Sequence, residues 1–314
     1  MIQSFDVISI GSSTIDIFIK SKDFIYDQKL LSIPASSKNE IYQSLICSGG
    51  GASNSSVAFS NLGLKSACIS LIGNNCLNNY VFEDLKKYKV FDKFVVLDKL
   101  NNTDFSVILV APDGTRSILT SRGQSSLSDK HFKWNQFKKS KWLYISSLEG
   151  NIDLLEKIIG FAKENGIKVA LNPGKRELLQ PKKLLPLIKL VDYFSLNKEE
   201  AGMLVDSFKF EDKFFNQIHS LKIPFVTITD GRQGAYVLYQ KTQFYSPAAQ
   251  SKPVDETGAG DSFSSAFVAA LIYQKTPQIA LYWAVTNSAS VVSSLGAKSG
   301  LLNLKQINSS IHKS

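Results

Sequence analysis

Cysteine is scarce in this chain: Cys47, Cys68 and Cys76 are the three among 314 residues. An odd number without metal-ligand spacing excludes a disulfide framework or a cysteine metal site, and it fits reduced thiols in a cytoplasmic protein. Long apolar runs are missing too. Ala266–Tyr273 is among the longest, well short of the ~18 residues that suggest a membrane span, so no membrane association is expected. The apolar opening carries Asp6 and Asp16 and lacks a basic start, so it reads as a first strand, not a signal peptide. No internal repeat, low-complexity tract or interdomain linker breaks the chain. Lysine clusters such as Lys138-Lys139-Ser140-Lys141 and Lys182-Lys183 are not interleaved with aromatic residues. The net charge of +9 therefore reads as solvated faces with no nucleic-acid groove. A field of that sign helps gather an anionic nucleotide.

What is present is ordinary for a globular protein, with 44% hydrophobic and 20% charged residues. Apolar runs rich in β-branched residues predict buried strands at Val7–Ile10, Ala67–Ile72, Trp142–Ile145, Lys168–Leu171, Tyr193–Leu196 and Phe225–Thr229. Helical spacing of apolar residues marks Ala52–Leu62, Asp153–Glu164 and Phe214–Leu221. This alternation implies an α/β fold, a doubly wound and mostly parallel sheet covered on both faces. Two segments break the rhythm, 17–47 and about 94–120. Their short extended runs (Phe18-Ile19, Glu40-Ile41-Tyr42, Phe105–Val110, Ser117–Thr120) predict a small antiparallel sheet over one edge of the core. Ala111-Pro112-Asp113-Gly114-Thr115 supplies turn residues between two of them. A flap of that kind excludes water from a site beneath it. The reading is one domain over residues 1–302, with a polar tail at 303–314 that is expected to fray.

Chemistry concentrates at Asp255-Glu256-Thr257-Gly258-Ala259-Gly260-Asp261, followed at once by a helical apolar stripe. Three small residues let the backbone approach a ligand closely. A helix starting there offers unpaired N–H groups and the positive end of its dipole to an anion. Asp261 then stands where a carboxylate takes a proton from an attacking hydroxyl. The plainer alternative is an N-capping Asp after a glycine turn. A second glycine run, Gly49-Gly50-Gly51-Ala52-Ser53-Asn54, also opens a helix. There Asn54 offers a donor and an acceptor to a sugar hydroxyl.

The two signatures, about two hundred residues apart around a βα core with an early flap, together resemble the ribokinase-like (PfkB) family of carbohydrate and nucleoside kinases. The resemblance spans about Asp6 to Gly300. It implies Asp261 as catalytic base and the N–H groups of Gly258, Ala259 and Gly260 as anion hole. It also implies Asp16, Gly50, Gly51 and Asn54 as the acceptor pocket, with Glu149 as a further substrate contact. Asn197 and Glu200 of Asn197-Lys198-Glu199-Glu200 match a motif that orients phosphates and water-ligated Mg²⁺. Thr229, Asp230, Gly231 and Gly234 match the loop along the nucleotide, Asn172 a strand end facing it, and Asn287 the adenine pocket. Ser294–Ser299 loosely resembles a cation-binding loop, which makes Asp255 a candidate ligand for K⁺. Bland alternatives stand beside these: Asp16 as a turn or cap, Asn197 and Glu200 as a capping box, Asp230-Gly231 as a turn, Asn287 as a core amide.

The implied activity is transfer of the γ-phosphoryl group of Mg-ATP to the hydroxymethyl group of a small sugar. A nucleoside kinase is the alternative, with Phe18, Ile41, Phe105 and Ile108 as an apolar shelf for the base. A non-catalytic sugar or nucleotide sensor on the same fold is the remote one. Arg116 and Arg122 flank the second flap strand and either reach an acidic group on the acceptor or sit in solvent. The single glycine in Gly11-Ser12-Ser13-Thr14-Ile15-Asp16 argues against a dinucleotide fold. The flap's apolar runs allow a homodimer.

Overall fold

The structure, a computed structural model, describes residues 4–27, 30–111, 116–122, 126–205 and 207–311. In chain order it forms β1 (Phe5–Ile10), β2 (Thr14–Ser21), β3 (Ile25–Asp27), β4 (Leu30–Ser32), β5 (Ile41–Gly49), α1 (Gly51–Asn61), β6 (Ser66–Gly73) and α2 (Asn78–Lys87). Next come β7 (Val95–Asp98), β8 (Phe105–Val110), β9 (Arg116–Ser121), β10 (Ser140–Ile145), α3 (Ile152–Glu164), β11 (Lys168–Leu171), α4 (Lys175–Leu178) and α5 (Pro181–Ile188). Then follow β12 (Tyr193–Asn197), α6 (Lys198–Val205), α7 (Asp212–Ser220), β13 (Phe225–Thr229), β14 (Ala235–Tyr239) and β15 (Thr242–Ser246). Last are α8 (Ala259–Ile272), α9 (Pro277–Val292) and α10 (Leu304–Ile311).

Among the described residues the large sheet has nine strands in the order β15-β14-β13-β12-β11-β10-β1-β6-β7. Neighbours from β13 through to β7 are parallel, while β14 and β15 are antiparallel. The strands are apolar on both faces because both are covered. Ile8, Ile10, Leu143, Ile145, Val169 and Phe194 pack against Leu155, Ile158, Leu184 and Phe214 of α3, α5 and α7. Their alternates Val7, Trp142, Tyr144, Ala170 and Tyr193 pack against Phe59, Phe263, Phe267 and Trp283 of α1, α8 and α9. Helix α8 is buried without a break from Ser262 to Ala270, and α1 from Ala52 to Phe59. The pattern of α1 predicts one buried face; it is enclosed more fully because it lies against β1, β6, β5, α2 and α8.

The small sheet runs β5-β2-β8-β9. It differs from the expectation in three ways. Strands β2 and β8 are parallel, so the sheet is mixed, with antiparallel pairs only at β2–β5 and β8–β9. Strand β7 belongs to the large sheet, where it pairs with β6. The sheet also starts earlier, at Thr14, so Asp16 is one of its residues. The predicted turn at 112–115 lies outside the described residues.

The polar stretch from Asn303 is a helix instead of a frayed tail, up to the described limit at 311. Asn303 Oδ1 accepts from the Gln306 amide at 2.9 Å and Gln306 Oε1 accepts from the Asn303 amide at 2.8 Å. This reciprocal cap offsets the unpaired groups of the first turn, and Ile307 seats the helix in the core. No helix among the described residues is long and apolar enough to cross a membrane.

Phe267, fully buried, stacks on Tyr193 with ring centroids 4.9 Å apart. Phe267→Ala should cost about 3–5 kcal/mol, to be read as a lower midpoint in urea unfolding.

Candidate active site

The strand order reverses between β1 and β10. From β1 the chain passes through the small sheet to β6 on one side, whereas β10 leads to β11 on the other. Open α/β sheets bind ligands in the crevice at such a point, outside the carboxyl ends of the strands. Here that crevice is closed from above by the first turns of α1 and α8. Asn54 Nδ2 donates to Asp261 Oδ2 at 2.8 Å, joining two residues 207 apart in the chain. A Cβ on Gly51 would lie 2.5 Å from Ser146 Oγ and 3.7 Å from Asp261 Oδ1, so only glycine lets α1 start this close. Asn54 is 5% exposed, and its Oδ1 has no hydrogen-bond partner among the described residues.

Gly258 caps α8 in the left-handed region, with φ of 76°. The Ala259 amide is turned back to the Glu256 carbonyl at 3.2 Å. Among the described residues the amides of Gly258, Gly260 and Asp261 find no protein partner, and the space over Gly260 is open. Of the three amides expected in the anion hole, two are thus unpaired in this conformation, and Asp261 adds a third.

Asp16, buried on β2, seats its carboxylate against Gly49, where a Cβ would stand 2.2 Å from Oδ2. Burial pushes its pKa up to about 6; Lys298 opposes this, and Asp255 and Asp261 add to it. Burial likewise raises Asp261 to about 6, against the Asn54 hydrogen bond and the Lys298 charge. A base of that acidity is ionised at neutral pH yet basic enough to accept a proton.

From the start of α8 a cleft of about 650 Å³ runs between the β13–β14 loop and α9. Asn197, Thr229, Gly231 and Gly234 line it with Ala259 and Gly260, as do Ala248, Val285, Ala289 and Val292. Asp230 is beside it, bound by Lys198 Nζ at 2.8 Å. Asn172 is turned to the Ser195 carbonyl at 3.1 Å and is not part of the lining. Asn287 is a correction: it is fully buried, donating to the Ser262 carbonyl and accepting from the Leu302 amide. Both amide atoms are thereby spent on the core, so it does not line the cleft; Val285, Ser288 and Ala289 on the same helix do.

Asn197 and Glu200 form the reciprocal cap of α6, each side chain accepting from the other's amide at 2.9 Å. Burial raises the Glu200 pKa. No group of three or more His, Cys, Asp or Glu among the described residues could hold a metal.

Asp255, expected as a candidate K⁺ ligand, is engaged by protein donors. Oδ1 accepts from Arg116 Nη1 and from the amide and hydroxyl of Thr257, and Oδ2 from the Gly296 amide at 2.9 Å. The Arg116 guanidinium supplies the positive charge there. Glu149 is more exposed and pairs with Arg122 of the small-sheet segment and with Arg176 at 3.1 Å. Arg116 is thus tied to the buried Asp255, whereas Arg122 meets Glu149 at the exposed surface. Sequence reasoning missed Glu177, a buried carboxylate that holds the Leu148, Gly150 and Gly174 amides. It missed Lys298 as well, although that residue lies within Ser294–Ser299, the segment that loosely resembles a cation-binding loop.

The family model for pfkB family carbohydrate kinases matches residues 4–303. The chain is 28% identical over 263 residues to the ribokinase of Haemophilus influenzae, covering 82% of this chain and 84% of that one. Arabidopsis thaliana ribokinase complexed with ribose and ATP superposes with a TM-score of 0.81 at 19% identity, covering 98% of both chains. Burkholderia thailandensis nucleoside kinase in complex with inosine gives 0.78 at 16%, again over 98% of each.

Asp261 ionises near pH 3.8 when unfolded and near 6 when folded, so its contribution to stability falls as pH rises through that window. Asp261→Asn should accordingly gain on the order of 2 kcal/mol above pH 7, with the gain vanishing near pH 4. Thermal midpoints measured across that range check it.

Proposed function

Because the chain belongs to the pfkB family of carbohydrate kinases, we propose that it moves the γ-phosphoryl group of Mg-ATP to the hydroxymethyl group of a small sugar. The observation that carries this is the Asn54–Asp261 hydrogen bond. It sets a carboxylate raised to about 6 beside unpaired amides at the mouth of a nucleotide-sized cleft. Bound Mg-ATP would supply the phosphoryl group and, through the metal, neutralise part of its charge. Asp261 would take the proton of the acceptor hydroxyl. The Gly258, Gly260 and Asp261 amides and the dipole of α8 would stabilise charge on the group in transfer. Asn197 and Glu200 are assigned to the phosphates and water-held Mg²⁺, and Thr229, Gly231 and Gly234 to the nucleotide's length. K⁺ is left out, since Arg116 occupies Asp255.

A sugar suits the acceptor side. Asp16 and the unpartnered Asn54 Oδ1 offer a polyol an acceptor each. The shelf a nucleoside base would need is not assembled. Phe18 and Ile108 are buried with Leu45 and Leu295, Ile41 is exposed at the far end of β5, and Phe105 packs against the other cluster around Ile15 and Val81. We take the small sheet as the lid over the acceptor, held down by Arg116 and Arg122. Three free thiols suit the cytoplasm as its compartment.

ADP release from Mg-ATP, measured against pentoses, hexoses, sugar acids, sugar phosphates and nucleosides, tests the reading. Turnover should be confined to a sugar class, and Asp261→Asn should lower kcat about 10²–10⁴-fold with little change in acceptor affinity. Nucleoside turnover above that of every sugar would overturn the acceptor assignment, and wild-type turnover in the variant would overturn the base.

A second copy is proposed to cover the outer face of the lid, where Ile46 and Leu119 share a row and are 38% and 58% exposed. Sedimentation should then give a dimer mass that Leu119→Lys reduces to that of one chain.

A further inference from the structure

Lys298 is 7% exposed, in the loop between α9 and α10. Lysine is almost never this buried unless its charge has partners. Its Nζ donates to the Ser48 carbonyl at 2.8 Å, to the Ser48 hydroxyl, and to Ser53 Oγ at 2.8 Å, with Asp84 Oδ2 at 3.5 Å. Ser48 and Ser53 are the residues on either side of the Gly49-Gly50-Gly51-Ala52 run. The ammonium therefore grips both ends of the backbone on which Asp16 rests and from which Asn54 reaches Asp261.

We propose that Lys298 is a positioning residue of the phosphotransfer site: a fixed cation beneath the acceptor pocket that pins the glycine run and is the counter-charge for Asp16 and Asp261. This rests on the reading of Asp261 as base. The charged and titratable groups around it come from every packed element: Asp84 of α2, Asp16 of β2, Cys47 of β5, Cys68 of β6, and Asp255 and Asp261 at the start of α8. Asp84 already accepts a hydrogen bond from Ser48, and Asp255 is neutralised by Arg116. Cys47 and Cys68 are pushed up to about 12 and about 11, so both stay thiols at neutral pH. Among the described residues, Asp16 and Asp261 have no ion-pair partner of their own. Lys298 is the cation whose field reaches both.

Burial lowers the Lys298 pKa and the carboxylates of Asp84 and Asp16 oppose that, while Lys298 in turn favours the ionised forms of Asp16 and Asp261. Take the charge away and only the Asn54 hydrogen bond works against burial at Asp261.

The test compares Lys298→Met, which keeps the stem, with Lys298→Arg, which keeps the charge, in the full chain. In Lys298→Met the acid limb of kcat/KM should move up by about one pH unit, so activity at pH 6 falls about fivefold while the plateau above pH 8 is less affected. Lys298→Arg should leave the limb in place. Carboxyl ¹³C titration of Asp16 and Asp261 should show the same upward movement in Lys298→Met. It needs no turnover, so it separates failure of this proposal from failure of the kinase reading. Unmoved midpoints in a folded Lys298→Met protein would overturn the proposal. Should Lys298→Met not fold, Lys298→Gln, which keeps donors for Ser48 and Ser53, is read in the same way.

Discussion

Two helices that begin with glycine, α1 and α8, are held mouth to mouth by the hydrogen bond between Asn54 and Asp261. Much else follows from how close they must come. Gly51 has to lack a side chain because Ser146 fills the space, and α8 has to turn in through a left-handed Gly258. Both helices carry many small residues where they pack this deeply, and both are buried along nearly unbroken stretches and not on one face alone. The geometry leaves α8 with amides it cannot pair internally, next to the Asp261 carboxylate that the α1 carboxamide of Asn54 holds.

That proximity carries an electrostatic cost. Asp16 and Asp261 are both desolvated, and Asp16 also feels like charge from Asp255 and Asp261. The fold offsets the cost without quenching the base. Arg116 is spent on Asp255, and Lys298 is kept a step away, on Ser48 and Ser53. A direct ion pair on Asp261 would hold it fully ionised but weaken it as a proton acceptor. An amide donor and a cation at one remove leave it near 6.

The large sheet was legible because buried parallel strands announce themselves as apolar runs, and the six predicted strands all lie in it. The glycine motifs were legible because few other residues can do what they do. Pairing in the small sheet was not: β2 and β8 are neighbours only after a separation of about ninety residues, and nothing local marks them as parallel. Asn287 shows the other limit. An Asn on an apolar helix reads the same whether it faces a ligand or bonds to Ser262 and Leu302. Lys298 and Glu177 escaped because burial of a charge depends on partners distant in sequence, 250 residues away in the case of Ser48.

Asp16 lies on β2 only a few residues beyond the end of β1, so it sits close to the point where the small sheet joins the core. Strands advance about 3.3 Å per residue, so the outer end of β2, at Lys20 and Ser21, is farther from that junction. Any tilting of the sheet about the junction therefore works as a lever with a short and a long arm. On the proposed reading, the Asp16 carboxylate would barely travel while the rim at Lys20 and Ser21 would sweep more widely. Recognition near the fulcrum would then stay stiff, and an acceptor bulky at its far end would be refused by the cover, not by Asp16.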